Sequence, residues 1–178
     1  MKDVLSRESG RPPLVILDIA RDSLTAHLKG RPYEPPLLPP PWDAPRPVFV
    51  TLRSPEQALR GCIGHLEPIT ASLSREVASC AVAAAIDDPR FPPVVVDELP
   101  GLDYEVSLLE PPAPVRFEDL DPKRFGIIVS SGRRQGVLLP DVEGVETPEE
   151  QLRIALDKGA ILPREPYKLE RFRVLKVD

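Results

Sequence analysis

Proline is the residue that most constrains how this chain can fold. The sequence has 24 prolines among 178 residues, well above the average usage of about 5%. Proline lacks a backbone N–H and clashes with the preceding turn, so it ends helices and interrupts sheet pairing. The densest run, from Lys29 to Pro47, predicts an extended, polyproline-like strap over the surface. We expect Tyr33 and Trp42 to anchor this strap to the body of the protein.

The length of the chain suits one globular domain, residues 1–178, which can contain two subdomains sharing a core. A chain of this size buries roughly 70% of the surface that its unfolded form exposes, so it needs no metal or disulfide to hold it together. The net charge is -5, and no block of lysine or arginine is present. Nucleic-acid-binding proteins carry clustered basic residues. We therefore expect no nucleic-acid partner.

The sequence also indicates where the protein works. It contains no run of about 18 apolar residues, the length that a membrane-spanning helix requires. The segment MKDVLSRESGRPP at the N-terminus lacks the apolar core of a signal peptide. Two cysteines, Cys62 and Cys80, are too few for a disulfide framework and fit a reducing compartment. We expect a cytoplasmic protein.

Three segments have the periodicity or the capping residues of helices. Residues 14–28 place leucines and an alanine on one face, and Gly30 follows the segment. Residues 70–86 carry an apolar stripe and end before the prolines of DDPRFPP. TPEEQLRIALDKG has Thr147 as N-cap, Glu150 reaching back to it, and Gly159 as terminator. The stripe of the second helix consists of Leu73, Val77, Cys80, Ala81 and Ala84.

Strand patterns fill the segments between these helices. VFVTLRS and ALRGCIG, separated by the turn SPEQ, predict two consecutive strands, and LDYEVSLLE alternates as a half-buried strand does. FGIIVSSGRRQGVLLP predicts a hairpin with Ser131 and Gly132 at its turn, and KLERFRVLKVD predicts one final strand. The order β-β-α-β-β-β-α-β after a leading helix predicts an α+β fold, with helices packed on a largely antiparallel sheet.

The LRGCIG segment is the strongest candidate for a functional site. If it is a strand, Leu59 and Ile63 face the core, while Arg60 and Cys62 share the opposite face. A guanidinium close to a thiol favours the thiolate, which is the form that attacks electrophiles. If the chain bends at the following glycine, the imidazole of His65 can approach the thiol as an acid–base partner. We therefore predict that Cys62, Arg60 and His65 are catalytic.

The neighbouring residues complete the predicted site. Gly61 and Gly64 leave the flanks of the thiol bare, so that a substrate or another backbone can approach. Asp88 and Arg90 can add a charged pair for substrate binding, although an ion pair at the end of the helix is the simpler role for them. Cys80 lies on the apolar stripe of the second helix, and we expect it to be an inert residue packed in the core.

Other readings of these residues remain open. Cysteine is often buried, and a glycine within a strand can mark a bulge, so LRGCIG can be a packing motif. Cys62 and His65 have the spacing of half a zinc site, but no second half is visible in the sequence, and we expect no metal. No GxSxG elbow, P-loop or dinucleotide fingerprint occurs, and we expect no cofactor.

Several motifs together resemble the AMMECR family, named after a human chromosomal region linked to Alport syndrome, midface hypoplasia and elliptocytosis. The resemblance runs from about Val48 to the C-terminus, and the leading helix also fits. The segments that carry it, in order, are LRGCIG, LEP, AAAIDDPRFPP, LPGLDYEVSLLEPP and FGIIVSSGRRQGVLLP.

This resemblance implies an α+β body of two subdomains with a groove between them, and a position for LRGCIG in that region. Family members are often grouped with a Memo-like protein and a radical SAM protein, which implies a shared modification pathway and two candidate partners. The leading hypothesis is an enzyme, or a subunit of one, that acts on a small molecule or protein through Cys62. The alternative is a non-catalytic protein-binding module.

Overall fold

A computed structural model of the chain describes residues 13–178. The first twelve residues lie outside the described part. They include nearly all of the segment MKDVLSRESGRPP, which we expect not to be a signal peptide. Within the described part the helices are α1 (Val15–Leu28), α2 (Leu73–Ile86) and α3 (Pro148–Lys158). No helix among residues 13–178 is long and apolar enough to cross a membrane. All three helices lie where the sequence predicted them.

The described strands are β1 (Val48–Arg53), β2 (Leu59–His65), β3 (Asp103–Leu109), β4 (Ala113–Pro114), β5 (Gly126–Ser131), β6 (Arg134–Leu138), β7 (Lys168–Phe172) and β8 (Val174–Val177). They form two four-stranded sheets, ordered β2-β1-β3-β8 and β4-β7-β5-β6. Strand β1 is antiparallel to both β2 and β3. In the second sheet β7 is antiparallel to β4 and β5, and β5 to β6. The α+β class is confirmed, with two sheets where the sequence predicted one.

Two boundaries differ from the sequence prediction. The hairpin turn consists of Gly132 and Arg133, because Ser131 is still paired with Arg134 as the last residue of β5. Gly132 has a φ of 60°, a left-handed conformation that glycine adopts without steric cost. The predicted final strand is two strands, β7 and β8, which belong to different sheets. The apolar pattern of this segment does not show that its two halves join different sheets.

The chain divides into two compact units. The first ends at Leu108 and also includes Leu175–Asp178, whereas the second is Leu109–Val174. The first core contains fully buried side chains from α1, β1, α2 and β3, such as Leu24, Val50 and Val77. The second core is a separate cluster built from β5, β6 and α3, with Ile127 and Ala155 fully buried.

The proline-rich strap contains no helix or strand between Arg31 and Pro47. Trp42 is 4% exposed and belongs to the first core, with the guanidinium of Arg46 4.8 Å from its ring centroid. Leu38 is also buried there. The predicted anchor at Trp42 is therefore present, and Tyr33 is half-buried.

Candidate functional site

Cys62 lies on β2, an edge strand of the first sheet. Its cross-strand neighbour is Thr51 of β1, whose hydroxyl donates to the Cys62 sulfur over 3.3 Å. The thiol is free, and the residue is half-buried.

The backbone of Cys62 on the open edge of the sheet is capped by Asp88 and Arg90. The Cys62 N–H donates to Asp88 Oδ2 at 2.9 Å, and Arg90 Nη2 donates to the Cys62 carbonyl oxygen at 3.5 Å. The two side chains are also bonded to each other, with an Nη2–Oδ2 distance of 2.6 Å. This pair takes the place of a neighbouring strand at Cys62, and it blocks addition of another strand at that position.

Asp88 is held as a carboxylate. Its side chain is 3% exposed, and the hydrogen bonds from Arg90, and then that from the Cys62 amide, hold its pKa well below its usual range although burial opposes this. The pKa of Arg90 is raised first by Asp88 and in smaller part by the neighbouring Cys62. Asp88 and Arg90 thus lie next to Cys62, where the sequence predicted a charged pair, but they contact its backbone.

Arg60 does share a face of β2 with Cys62, yet its guanidinium has another partner. Its Nε and Nη2 donate to the Glu98 carboxylate at 2.7 and 3.1 Å, and Nη1 donates to the Pro92 carbonyl oxygen at 2.9 Å. This bidentate pair joins β2 to the short 3-10 segment Val96–Gly101. The pKa of Glu98 is lowered, chiefly by Arg60. The cation beside Cys62 is Arg90.

Both glycines of the motif are required for packing. A Cβ on Gly61 would lie 2.0 Å from the Ala84 carbonyl oxygen, so α2 approaches the strand at this point. A Cβ on Gly64 would lie 2.2 Å from the Val48 carbonyl oxygen and 2.4 Å from the Phe49 ring. The expected bare flanks are therefore occupied by the protein itself. Leu59 is 37% exposed, because the β1–β2 register shifts there, and does not join the core.

His65 contacts residues of α2 on the opposite face of the strand from Cys62. Its Nδ1 lies 2.8 Å from Glu76 Oε1 and 3.5 Å from Cys80 Sγ. Side chains alternate between the two faces of a strand, so His65, three positions after Cys62, lies on the opposite face. The predicted approach of His65 to the Cys62 thiol is not observed, and the half-site formed by Cys62 and His65 is not assembled.

Glu76 and Cys80 are both fully buried. Burial raises the pKa of Glu76, but hydrogen bonds from Thr70, His65 and Ile69 outweigh it and leave this pKa below its usual range. Burial, and next the charge of Glu76, raise the pKa of the Cys80 thiol to about 12. The sequence analysis missed Glu76, although it occupies an apolar-stripe position between Leu73 and Val77.

A different concave surface lies in the second unit. It is an open depression of about 320 Å³, lined by Pro114, Val115, Arg116, Asp119 and Arg171. None of the residues that the sequence predicts for the site lines it. The depression offers two guanidinium groups and one carboxylate, of which Arg116 and Asp119 are paired with each other.

Comparison with known proteins gives relatives in bacteria and archaea. Protein CA_C1420 of Clostridium acetobutylicum is 42% identical over 175 residues, which cover 96% of this chain and 37% of the Clostridium protein. A Thermotoga maritima protein is 54% identical over 115 residues, covering 64% of this chain and 66% of that protein. The chain thus spans about a third of the Clostridium relative and just under two thirds of the Thermotoga relative.

The fold and the family are shown by two further matches. The crystal structure of PH0010 from Pyrococcus horikoshii superposes with a TM-score of 0.79 at 35% identity, covering 90% of this chain and 88% of that one. The AMMECR1 family model matches residues 17–177. The match includes all three helices except the first two residues of α1, and all eight strands. This chain belongs to the AMMECR1 family.

Proposed function

We propose that this protein is an enzyme, or an enzyme subunit, in which Cys62 acts as nucleophile or transient carrier toward a small molecule or a protein. The observation that supports the proposal is the half-buried thiol on a fixed edge strand, 3.3 Å from a hydroxyl donor. In the reaction the sulfur forms a bond to an electrophilic acyl carbon, and the leaving group departs with a proton. Such a step requires a thiolate that a substrate can reach.

The immediate surroundings of the thiol support this role in a different way from the one that the sequence suggested. Thr51 supplies a hydrogen bond to the sulfur, and the Arg90 guanidinium lies beside Cys62. Buried Asp88 fixes the Cys62 amide, so the nucleophile sits on a rigid element, as precise positioning requires. Arg60 and His65 are engaged elsewhere and take no part in this mechanism.

The alternative function is a non-catalytic protein-binding module. The observation that favours it is the packing of Gly61 and Gly64 against backbone atoms, which explains two residues of LRGCIG without any chemistry. Under this alternative the surface, not the thiol, carries the function. The two proposals differ in a single measurable property, the reactivity of Cys62 in the folded protein.

The test is the rate of alkylation by iodoacetamide as a function of pH, in the native protein and in four variants. For an activated Cys62 we expect the folded protein to show a fast phase of alkylation, since only a thiolate that the reagent can reach reacts quickly. Cys62→Ser should abolish this phase, and Thr51→Val should slow it, because the Thr51 hydroxyl donates to the Cys62 sulfur. Cys80→Ser is the matched control and should leave the phase unchanged, as should Arg60→Lys.

If Cys62 reacts only when the protein unfolds, its role as a nucleophile is rejected, and the protein-binding function is the one that is left. In that case the search moves to protein partners. The resemblance suggests a Memo-like protein and a radical SAM protein, which we propose as partners within the cytoplasm. Affinity purification of the tagged chain from its own source, with mass spectrometry of co-purified proteins, tests that proposal independently of the thiol.

A further inference from the structure

The contact between β2 and α2 contains a cluster of three side chains that the Cys62 mechanism does not use. His65 Nδ1, a Glu76 carboxylate oxygen and Cys80 Sγ all lie within 4.8 Å of one another. Glu76 and Cys80 are fully buried, and the His65 side chain is 32% exposed. Imidazole, carboxylate and thiolate are three of the ligand types that transition metals prefer in proteins.

The geometry of this cluster does not fit a nucleophile with its base and orienting acid. In such a triad the thiol contacts one ring nitrogen and the carboxylate contacts the other. Here both Glu76 Oε1 and Cys80 Sγ lie close to the same atom, His65 Nδ1, at 2.8 and 3.5 Å. A thiol that is fully buried is also closed to a substrate. The three donor atoms lie within 4.8 Å of one another instead.

The charges of the cluster also suit a cation. Glu76 is a buried carboxylate, and within residues 13–178 no lysine or arginine forms an ion pair with it. Hydrogen bonds from Ile69, Thr70 and His65 already stabilise this carboxylate, and a bound cation would compensate its charge directly. A divalent cation, one thiolate, one carboxylate and a neutral imidazole sum to zero charge. Binding then releases the thiol proton of Cys80, while the Nδ1 proton of a neutral His65 moves to Nε2.

We propose that His65, Glu76 and Cys80 form a binding site for a divalent transition-metal ion, with Zn²⁺ as the best match. Tetrahedral zinc with bonds of about 2.0–2.3 Å holds its nitrogen and sulfur ligands about 3.6 Å apart, and Nδ1 and Sγ are separated by 3.5 Å. The corresponding nitrogen–oxygen separation is about 3.4 Å, against 2.8 Å between Nδ1 and Glu76 Oε1. Binding therefore requires an opening of about half an ångström at Glu76.

The protein already orients the carboxylate for this role. Glu76 Oε2 accepts the backbone N–H groups of Ile69 and Thr70 at 3.1 and 2.8 Å, which leaves Oε1 directed at His65. Hydrogen bonds of this kind hold metal ligands in place in established sites. With three protein ligands and a partly exposed imidazole, a bound tetrahedral ion would leave its fourth position to solvent. Zinc sites with an open fourth position are the catalytic type, whereas structural sites use four protein ligands.

The experiment uses the full chain, stripped of metal with a chelator and titrated with Co²⁺ under reducing conditions. Tetrahedral Co²⁺ bound to a thiolate gives a sulfur-to-metal charge-transfer band and visible d–d bands. We expect both, saturating at one ion per chain, and displacement of the cobalt by stoichiometric Zn²⁺. Calorimetric titration with Zn²⁺ alone gives the affinity.

The chain provides its own matched controls, because it has two cysteines and two histidines. Cys80→Ser should abolish the charge-transfer band, and His65→Gln should weaken zinc binding by more than the roughly 10–100-fold that loss of an outer-shell partner causes. Cys62→Ser and His27→Gln should bind as the wild type does. Circular dichroism confirms that each variant is folded.

The wild-type spectrum alone keeps the proposal falsifiable if a variant does not fold. A folded wild-type chain that binds no Co²⁺, or binds it without a thiolate band, overturns the site. The proposed site is also overturned if the charge-transfer band disappears in Cys62→Ser and persists in Cys80→Ser. That result would place the metal at Cys62 on the edge strand. Because the alkylation test concerns Cys62, its outcome does not affect this one.

Discussion

At the residue scale, the motif LRGCIG combines two different tasks in adjacent positions. Gly61 and Gly64 permit close approach of α2 and of the neighbouring strand, while Cys62 between them faces the other side of β2 from α2. A motif of this kind looks like a single site in the sequence. In the structure, only Cys62 has a side chain available for chemistry.

The packing role of Gly61 predicts a large cost for any side chain there. In Gly61→Ala the new Cβ meets the Ala84 carbonyl oxygen at 2.0 Å, and backbone atoms cannot move aside as a flexible side chain can. We expect a loss of about 3 kcal/mol or more in the free energy of unfolding, at the upper end of overpacking effects. Urea denaturation measures it.

Gly144→Ala is the control for this prediction. Gly144 has a φ of 77° and no atom within 4 Å of the added Cβ, so that only backbone strain opposes the substitution. Strain of this kind costs about 1–2 kcal/mol. Equal losses in the two variants would show that α2 does not approach β2 as closely as the structure indicates.

Asp88 makes the stability of the protein depend on pH. Because its folded pKa is depressed, Asp88 adds stability at pH values above its unfolded pKa of about 3.9, and this contribution is lost as the pH falls further. Asp88→Asn should therefore be less stable than the wild type at pH 6, and the difference should shrink below about pH 4. Denaturant unfolding at a series of pH values checks this.

Asp43→Asn is the matched variant for this pH series. Asp43 is exposed, and within residues 13–178 its side chain forms no hydrogen bond or ion pair. The free energy of unfolding of Asp43→Asn should stay close to that of the wild type at every pH. A constant deficit for Asp88→Asn down to pH 2 would mean that the charge of Asp88 does not stabilise the capped strand.

At the element scale, the edges and ends of the elements are closed by side chains. The edge of β2 is covered by Arg90 and Asp88, and Arg60 joins the same strand to the 3-10 segment through Glu98. Helix α3 begins with a capping box in which Thr147 accepts from the Glu150 amide and Glu150 accepts from the Thr147 amide. These contacts satisfy backbone groups that would otherwise lack partners.

The pair of Arg60 and Glu98 should be energetically coupled. Both side chains are mostly sheltered, at 15% and 35% exposure, and the geometry is bidentate. In a double-mutant cycle with Arg60→Ala and Glu98→Gln, we expect a coupling energy of about 1 kcal/mol or more. Additivity of the two single losses would contradict the proposed link between β2 and the 3-10 segment.

The ion pair of Arg116 and Asp119 provides the comparison cycle. Its side chains are 78% and 48% exposed, and exposed pairs typically contribute about 0.2–1 kcal/mol. We expect its coupling to be the smaller of the two and to disappear at high salt, because solvent ions screen exposed charges.

At the scale of the whole molecule, the two units have separate cores, and no buried side chain among residues 13–178 belongs to both. Leu52→Ala removes a fully buried side chain from the first core, and Ile127→Ala does the same in the second. Each should cost about 2–5 kcal/mol. In native-state hydrogen exchange we expect Leu52→Ala to reduce protection mainly in β1 and α2, and Ile127→Ala mainly in β5 and α3.

Equal loss of protection in both units from either substitution would instead identify one cooperative unfolding unit. The matched pair makes the comparison direct, because both residues are fully buried aliphatic side chains on central strands. The same experiment compares the stability of β2, on which Cys62 and His65 lie, with that of the second unit.

Local structure could be predicted from the sequence. Proline and glycine positions, apolar periodicity and the capping pair Thr147 and Glu150 gave the helices to within a few residues and located most of the strands. These features act over a few residues along the chain, so they can be read without the fold. The motifs that resemble the AMMECR family were equally visible, and the family match covers residues 17–177.

Which side chains meet depends on the three-dimensional packing of the elements. Arg60 pairs with Glu98, 38 positions further along, and His65 meets Cys80 of α2 instead of Cys62 three positions before it. Which sheet β7 and β8 join was also undetermined, because one apolar run can pair with any compatible edge. Distant contacts depend on how elements pack against each other, and alternation along one strand placed neighbouring reactive residues on opposite faces.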